Sequence, residues 1–241
     1  MYGMYGYGYG YGLDPTIILV LIGVALSLWA QGRVNSTFSR YSRVRSMTGM
    51  TGAEAAKRLL QSQGIYDVTV RPVRGQLTDH YDPRTKTVNL SQSVYGATSV
   101  AAIGVAAHEC GHAMQDNEGY APLRFRSALV PVANFGSSLS WPLILLGLVF
   151  GGLGSPLVEI GILMFSLAVL FQLVTLPVEY NASARAVRLL DAQGILAGEE
   201  VNGTRKVLNA AALTYVAAAA TSILQLLRLI ILFGGRNRRD R

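Results

Sequence analysis

The sequence has few cysteines, few histidines and little charge. Its 241 residues include one cysteine, Cys110, and three histidines, and only 15% of the residues are charged. A single cysteine excludes an internal disulfide framework and a metal site made of several thiolates. The low charge, together with 51% hydrophobic residues, is unlike a soluble domain and predicts a mainly α-helical, polytopic membrane protein.

The basic residues do not indicate nucleic-acid binding, although the net charge is +7. They do not form a recognition helix with aromatic stacking partners, and several of them flank apolar runs. No basic residue precedes Leu13, whereas four arginines lie between positions 33 and 45, just after the first apolar run. This run is therefore predicted to be an uncleaved anchor, with residues from 31 onward on the cytoplasmic side.

Four apolar runs are long enough, or nearly long enough, to cross a bilayer. Three are predicted to cross, namely 13–31, 128–150 and 157–178, and the turn sequence GGLGSP joins the last two. Run 210–233 is weaker because Arg228 interrupts it, and it is predicted either to cross or to lie along the membrane. The sequence therefore predicts three to four membrane helices.

Residues 47–127 are more polar and are predicted to face water. Thr51 is the predicted cap of a helix over 51–65. The stretches YDVTVRPV and KTVNLS alternate like strands on either side of DHYDPRT, which contains the turn signal Asp82-Pro83. These features predict a small β-hairpin, followed by a helix that leads into the histidines.

The sequence His108-Glu109-Cys110-Gly111-His112 has the spacing of a zinc-binding helix. Positions i and i+4 lie on one helix face, so the two imidazoles can bind one zinc ion through ring nitrogens. Glu109 then projects towards the activated water, from which it can take a proton for the leaving amine. The pattern predicts a peptide-bond hydrolase with one Zn²⁺ per chain and Glu109 as general base.

A catalytic zinc ion needs a third protein ligand. Glu179 is preferred because two membrane crossings separate it from the histidines and return it to the same membrane face. Glu118 is the second choice, since it falls at the position of a metzincin ligand, but that pattern requires glycine where this chain has Gln115. His80 lies in the predicted turn, and Glu159 lies inside the third apolar run, towards its far side.

The motif region and the segment around Glu179 resemble the YugP-type neutral zinc metallopeptidases of bacterial membranes. The resemblance rests on AAHECGHAMQ, GYAPLRFR, VPVANFGS and LPVEYNASARA, and extends from about residue 30 to the end of the chain. The arrangement is also similar to HtpX-type membrane proteases. The resemblance implies a gluzincin in which His108, His112 and Glu179 bind the metal and Glu109 is the base. Ser183 departs from the HtpX-type pattern, which has an aspartate there to support a ligand histidine.

The resemblance further implies a zincin-like core in a multi-pass protein of the bacterial plasma membrane. The predicted division of the chain is a Tyr/Gly-rich tail (1–12), span 1 (13–31), a cytoplasmic zincin part (32–127), a membrane helical hairpin (128–178), a third-ligand helix and loop (179–209), span 4 or a membrane-associated helix (210–233) and a basic tail (234–241). The predicted function is hydrolysis of membrane or unfolded polypeptides at the cytoplasmic face. The alternative is a catalytically silent, zinc-stabilised membrane scaffold or adaptor.

Two further features of the site are expected from zincin architecture in general. The segment VNLSQS, 88–93, is expected to be an edge strand that binds extended substrate, with Asn89 and Ser91 at its rim. An edge strand closed off by polar groups is equally consistent with this sequence. Tyr215 and Tyr120 are candidate donors to the oxyanion, although tyrosines near membrane boundaries are also common as anchors.

Overall fold

The computed structural model describes residues 14–234. The predicted Tyr/Gly-rich tail, 1–12, and residues 235–241 of the predicted basic tail lie outside the described residues. In chain order the elements are α1 (Ile17–Tyr41), α2 (Gly52–Ser62), β1 (Thr69–Val73), β2 (His80–Asp82), β3 (Thr87–Ser91), α3 (Gln92–Tyr95), α4 (Val100–Asn117), α5 (Ala121–Gly151), α6 (Pro156–Ala192) and α7 (Glu199–Phe233).

Four of these helices, α1, α5, α6 and α7, are long and apolar enough to cross a membrane. They carry large apolar side chains that face outward, such as Leu28, which is 68% exposed, and Phe150, which is 80% exposed. An apolar exterior of this extent suits lipid rather than water. The prediction of a mainly α-helical polytopic protein with three to four membrane helices is confirmed.

Helix α7 packs antiparallel to α1 along almost its whole length. Near the middle, Thr221 donates a hydrogen bond to the carbonyl oxygen of Gly23, at 3.0 Å. Towards its end, Arg228 pairs with Asp14, with 3.4 Å between the guanidinium and the carboxylate. Arg228, the residue that weakens run 210–233, therefore has an acidic partner just before the start of α1. Helix α7 extends across the bundle beside α1.

Helices α5 and α6 form a hairpin that is joined at GGLGSP, as predicted. Gly161 of α6 lies so close to α5 that an added Cβ would stand 2.8 Å from the carbonyl oxygen of Ser140. Gly136 of α5 approaches the carbonyl oxygen of Met164 in the same way, at 2.7 Å. Small residues allow close helix approach where lipid leaves no hydrophobic drive between helices.

The three strands form one sheet in the order β1-β3-β2, and this corrects two predictions. The predicted hairpin between YDVTVRPV and KTVNLS is wrong, because β1 and β3 are parallel. The hairpin is formed by β2 and β3, which are antiparallel, and Asp82 closes its turn by accepting a hydrogen bond from the Arg84 amide at 2.9 Å. Period-two alternation identifies a strand but does not specify its direction or its partner.

The expectation that VNLSQS is an edge strand is also wrong. β3 is hydrogen-bonded on both sides, so β2 and β1 are the edges. The side chains of Val88 and Leu90 are fully buried, as expected of a central strand that also packs against helices. Asn89 and Ser91 therefore do not form the rim of an edge strand. The backbone amide of Ser91 donates a hydrogen bond to the carboxylate of Asp79 at 2.7 Å.

The water-facing core packs α2 and α4 against β3 and the end of α6. Its fully buried side chains include Leu59, Leu90, Ile103 and Leu190. Thr51 caps α2 as predicted, in a capping box with Glu54. This core fixes α4 beside the last turns of α6, and the candidate site lies at that contact.

Candidate active site

Helix α4 places His108 and His112 on one face, one turn apart. Their ring centroids are 4.8 Å apart and their planes are nearly perpendicular, at 83°. Gly111, between them in the chain, lies against α6: an added Cβ would stand 2.6 Å from the carbonyl oxygen of Ala182. The glycine inside the motif therefore permits the backbone of α4 to touch the helix that carries Glu179.

Glu179 reaches both histidines from α6. Its Oε2 lies 3.3 Å from Nε2 of His108 and 3.5 Å from Nε2 of His112. The structure thus brings the three predicted ligands together, as the argument from two membrane crossings predicts. Glu179 is 2% exposed, and its Oε2 has no hydrogen-bond donor among the described residues.

These residues fit a zinc ion. Two imidazole nitrogens and one carboxylate oxygen are common zinc ligands, with bonds of about 2.0–2.2 Å. The corresponding edge of a tetrahedron is about 3.4 Å, close to the two nitrogen–oxygen distances. A buried carboxylate oxygen that faces two ring nitrogens without a shared hydrogen bond is expected where a cation belongs. Within residues 14–234, this trio is the group found with metal-binding geometry.

Each histidine of the trio has a polar partner at its other ring nitrogen. Nδ1 of His108 lies 3.1 Å from Oγ of Ser183, and Nδ1 of His112 lies 3.0 Å from Oε1 of Gln115. The amide oxygen of Gln115 can only accept, so it selects the tautomer of His112 that leaves Nε2 free to bind a metal. Ser183 is thus in contact with a ligand histidine at the position where the HtpX-type pattern has aspartate.

A hydrogen-bond network ties the end of α4 to α6. The side-chain amide of Gln115 donates to the carbonyl oxygen of Val178 at 2.9 Å and to Oδ1 of Asn181 at 3.0 Å. Asn181 also accepts a hydrogen bond from Arg185 at 2.7 Å. Arg185 in turn binds Glu118 at 2.6 Å. Glu118, the second choice for the third ligand, therefore forms a surface ion pair and does not reach the histidines.

The other two candidates also lie elsewhere. His80 is exposed on β2, where its Nδ1 lies 2.9 Å from the carbonyl oxygen of Thr78. Glu159 lies in the first turn of α6, and 20 residues separate it from Glu179. That separation corresponds to about 30 Å along a helix. Neither residue joins the trio.

A cavity of about 830 Å³ opens in front of the trio. Glu109 lines it and is 7% exposed, next to His112 and Glu179. Tyr215 of α7 also lines the cavity, whereas Tyr120 caps α5 and lies 5.9 Å from the guanidinium of Arg185. Of the two tyrosines considered from the sequence, the one in α7 is therefore in position to contact a substrate.

Arg126 is a residue of the cavity that sequence reasoning missed. Its guanidinium lies 3.7 Å from Oε1 of Glu179, and its Nε is buried without a hydrogen-bond partner among the described residues. In the sequence it resembles an ordinary basic residue at a membrane boundary. Its position two residues after Arg124, one turn into an apolar helix, is the signal that could have identified it.

The carboxylates around His112 favour positive charge at the site. Burial lowers the pKa of His112, whereas the adjacent Glu179 and the charge of Glu109 raise it, and the net shift is upward. The same negative field would stabilise a bound cation.

Strand β2 lies at one wall of the cavity and is held to α4 by a partly exposed cluster of hydrogen bonds. Asp116, in the last turn of α4, accepts hydrogen bonds from Lys86 at 2.7 Å and from Tyr81 at 2.8 Å. Burial raises the pKa of Asp116, but the hydrogen bonds from Lys86 and Tyr81 lower it by more. The net shift of the pKa is downward, so the carboxyl group is ionised at neutral pH. This cluster fixes the edge strand relative to the two histidines.

Comparison with known proteins identifies close relatives of the chain. Residues 16–234 match a family described as "Putative neutral zinc metallopeptidase". The chain is 50% identical, over 217 residues, to "Putative membrane protease YugP" of Bacillus subtilis (strain 168), covering 90% of this chain and 96% of that protein. No solved structure matches the chain. The resemblance to the YugP-type proteins is confirmed, and the chain belongs to this family of neutral zinc metallopeptidases.

Proposed function

We propose that the chain is a membrane-embedded zinc metalloendopeptidase that cleaves membrane or unfolded polypeptides. His108, His112 and Glu179 would hold one zinc ion, and Glu109 would be the general base. The observation that carries the proposal is that Oε2 of Glu179 lies 3.3 Å from Nε2 of His108 and 3.5 Å from Nε2 of His112, beside a cavity that Glu109 also lines.

Bound zinc would supply Lewis-acid activation of water and of the substrate carbonyl group. Glu109 would take the proton of the attacking water and donate it to the nitrogen of the leaving amine as the peptide bond breaks. Its position one residue after His108 supports this role. Glu109 lines the cavity together with His112 and Glu179, but its side chain leaves α4 in a different direction from those of the two histidines.

Arg126 and Tyr215 would stabilise the charge that develops on the carbonyl oxygen. Both are hydrogen-bond donors that line the cavity, and they reach it from α5 and α7, on the side of the site formed by the membrane helices. Arg126 would also hold the orientation of Glu179, since it contacts the carboxylate oxygen that does not face the histidines.

The shape of the cavity supports extended polypeptide as the substrate. The edge strand β2, residues 80–82, lines the cavity, and the first four turns of α5 line it as well, including Val130 and Asn134. An edge strand binds an extended chain through its free backbone groups. A chain segment that leaves the membrane beside α5 would enter this space directly.

We also propose that the site faces the cytoplasm of a bacterial cell, in the plasma membrane. Of the four arginines between 33 and 45, Arg33 and Arg40 lie in the last turns of α1 and the other two follow it, at the same end of the bundle as the site. Arg124 and Arg126 lie at the start of α5, again at this end. An excess of arginine and lysine beside membrane helices marks the cytoplasmic side.

The proposal is tested with the purified chain in detergent by measuring bound zinc and the cleavage of an unfolded protein such as casein. The wild type is expected to hold about one zinc per chain, and Glu109→Gln should retain it while cleavage falls by about 100-fold or more. Glu179→Gln should lose both zinc and cleavage.

Glu118→Gln is the matched control, because it removes the same charge from a residue outside the trio. It should keep zinc and cleavage near wild-type values. Cleavage that survives Glu109→Gln would contradict the mechanism. Bound zinc with no turnover of any substrate would instead support the zinc-stabilised scaffold.

A further inference from the structure

A second cavity, of about 540 Å³, opens between α1, α6 and α7 on the other side of α6 from the candidate active site. Three cationic side chains line it: Arg33 and Arg40 from α1, and Lys206 from α7. Of the described residues that line it, none is acidic. The cavity therefore concentrates positive charge in a space large enough for a small anionic group.

These three cations have no acidic partners in the part of the chain that the structure describes. The ion pairs found there involve other basic residues, such as Arg185 with Glu118 and Arg228 with Asp14. Arg40 instead lies over the ring of Tyr41, at 5.6 Å. Like charges around one cavity repel each other, and a bound anion would remove that repulsion. Guanidinium groups match phosphate oxygens in geometry as well as in charge.

The cavity lies at the depth of a membrane boundary. Arg33 is about 24 Å from Ile17 along α1, and Arg40 is about 35 Å from it. A bilayer hydrocarbon core is about 30 Å thick, so the two arginines lie on either side of its edge. Trp29, one turn before Arg33, is 56% exposed, and tryptophan is typical of this interface.

The remaining lining residues match a phospholipid headgroup with its chains alongside. Asn209 and Thr37 add neutral hydrogen-bonding groups, and Tyr180 contributes an aromatic wall that is 46% exposed. Leu213 lines the cavity one turn after Asn209, towards the apolar part of α7. Val216, further along α7, is an exposed apolar residue against which an acyl chain can pack.

We propose that this cavity binds the phosphate of an anionic phospholipid headgroup. Three cations that have no acidic partner among residues 14–234 favour a lipid with net negative charge, because a zwitterionic headgroup brings its own ammonium into a positive space. A basic pocket between membrane helices, with an apolar surface directly below it, suits a phosphate that is anchored to acyl chains. The proposal does not depend on the proposed protease function.

The test uses the full chain, purified in neutral detergent and stripped of lipid. Thermal unfolding is followed by intrinsic fluorescence during titration with dioctanoyl phosphatidylglycerol, dioctanoyl phosphatidylcholine or inorganic phosphate. The anionic lipid is expected to raise the unfolding midpoint at concentrations about tenfold lower than the zwitterionic lipid. Inorganic phosphate at the same concentrations should leave the midpoint unchanged.

Variants locate the effect in the cavity. The triple variant Arg33→Gln, Arg40→Gln and Lys206→Gln should weaken the response to phosphatidylglycerol by about 100-fold. The matched control, Arg43→Gln, Arg188→Gln and Arg205→Gln, removes the same charge from exposed residues outside the lining set and should respond like the wild type. The swap Arg33→Lys, Arg40→Lys and Lys206→Arg keeps the charge and should retain the response within about threefold.

Three results would overturn the proposal. The first is an equal shift of the unfolding midpoint with both lipids. The second is an equal loss of the phosphatidylglycerol response in the triple variant and in its control. Either result would show that lipid is attracted to the protein surface in general. The third is an equal response to inorganic phosphate, which would show a site for a free anion. If the triple variant does not fold, Lys206→Gln alone decides, with an expected loss of about fivefold.

Discussion

Helix α6 makes two close contacts of the same kind with different consequences. Near its start, Gly161 packs against α5 by shape alone, with the carbonyl oxygen of Ser140 opposite. Near its end, Ala182 packs against Gly111 of α4, and there a network through Gln115 and Asn181 joins the two helices. Small residues let helices approach, but directional hydrogen bonds fix their register, and only a fixed register can hold three ligands around one ion.

The contact of Gly111 is where the largest effect is expected. A valine there would place its Cβ 2.6 Å from a backbone oxygen that cannot rotate away. Gly111→Val should therefore separate α4 from α6 and lower zinc affinity by about 100-fold or more. Zinc affinity is measured by chelator competition. Gly32→Val is the matched control, because an added Cβ at that glycine of α1 meets no atom within 4 Å, and it should remain near the wild-type value.

The amide of Gln115 is the next element to remove. Gln115→Ala deletes the acceptor at Nδ1 of His112 and both donated hydrogen bonds to α6. Zinc affinity is expected to fall 10- to 100-fold, because the ligand histidine loses its fixed tautomer and orientation. Gln115→Glu keeps an acceptor at Nδ1 but cannot donate to α6, so the affinity that it retains above Gln115→Ala measures the contribution of the acceptor alone. An unchanged zinc affinity in Gln115→Ala would show that packing alone positions His112.

Ser183 should have a smaller effect than Gln115. Among the hydrogen bonds described, its side chain makes a single one, from α6 to Nδ1 of His108 on α4 at 3.1 Å. Ser183→Ala is expected to lower zinc affinity up to about tenfold. Ser183→Asp restores the carboxylate of the HtpX-type pattern and should bind zinc at least as tightly as the wild type. A tighter complex with alanine than with serine would contradict this assignment.

Gly161→Ala tests the other half of the comparison. The added methyl group would meet the carbonyl oxygen of Ser140 at 2.8 Å, so the hairpin must open by a few tenths of an ångström. Stability is expected to fall by about 1–3 kcal/mol, measured as a lower unfolding midpoint in detergent. Zinc affinity should stay within about twofold of the wild type. A large loss of zinc in this variant would show that the two contacts of α6 are coupled.

The smallest effect concerns Asp116, which joins α4 to the sheet rather than to α6. Because its pKa is lowered in the folded state, its contribution to stability is present at neutral pH and is lost as the pH falls below about 4. Asp116→Asn should lower stability at pH 7 by about 1 kcal/mol, since Lys86 is partly exposed. The difference from the wild type should shrink on acidification. A difference that grows at low pH would contradict the assignment.

The trio of His108, His112 and Glu179 could be proposed from the sequence because the argument uses only spacing and the order of segments along the chain. His108 and His112 share a face in any α-helix, and the spacing alone determines this. Counting membrane crossings between two polar segments favours Glu179 over Glu118, although it does not exclude Glu118. The partners of the ligands could not be found in this way, because Ser183, Gln115 and Arg126 acquire their contacts only when α4, α5 and α6 pack together.

The sheet shows the opposite case. The alternation in YDVTVRPV and KTVNLS correctly marks two strands, but nothing in a local pattern determines that they run parallel, or that β3 lies at the centre. Pairing depends on contacts between distant residues, here the burial of Val88 and Leu90 against α4 and the cluster around Asp116. The edge that faces the cavity is consequently β2.

The sequence by itself determined the class of this protein, three of its four apolar helices and the spacing of the two histidines, because hydropathy and helical periodicity act within single segments. The tertiary structure decided which carboxylate meets the histidines, which groups hold them, and that a second, basic cavity lies behind Tyr180. These features depend on side chains that are far apart in the chain, and only helix packing brings them within hydrogen-bonding distance.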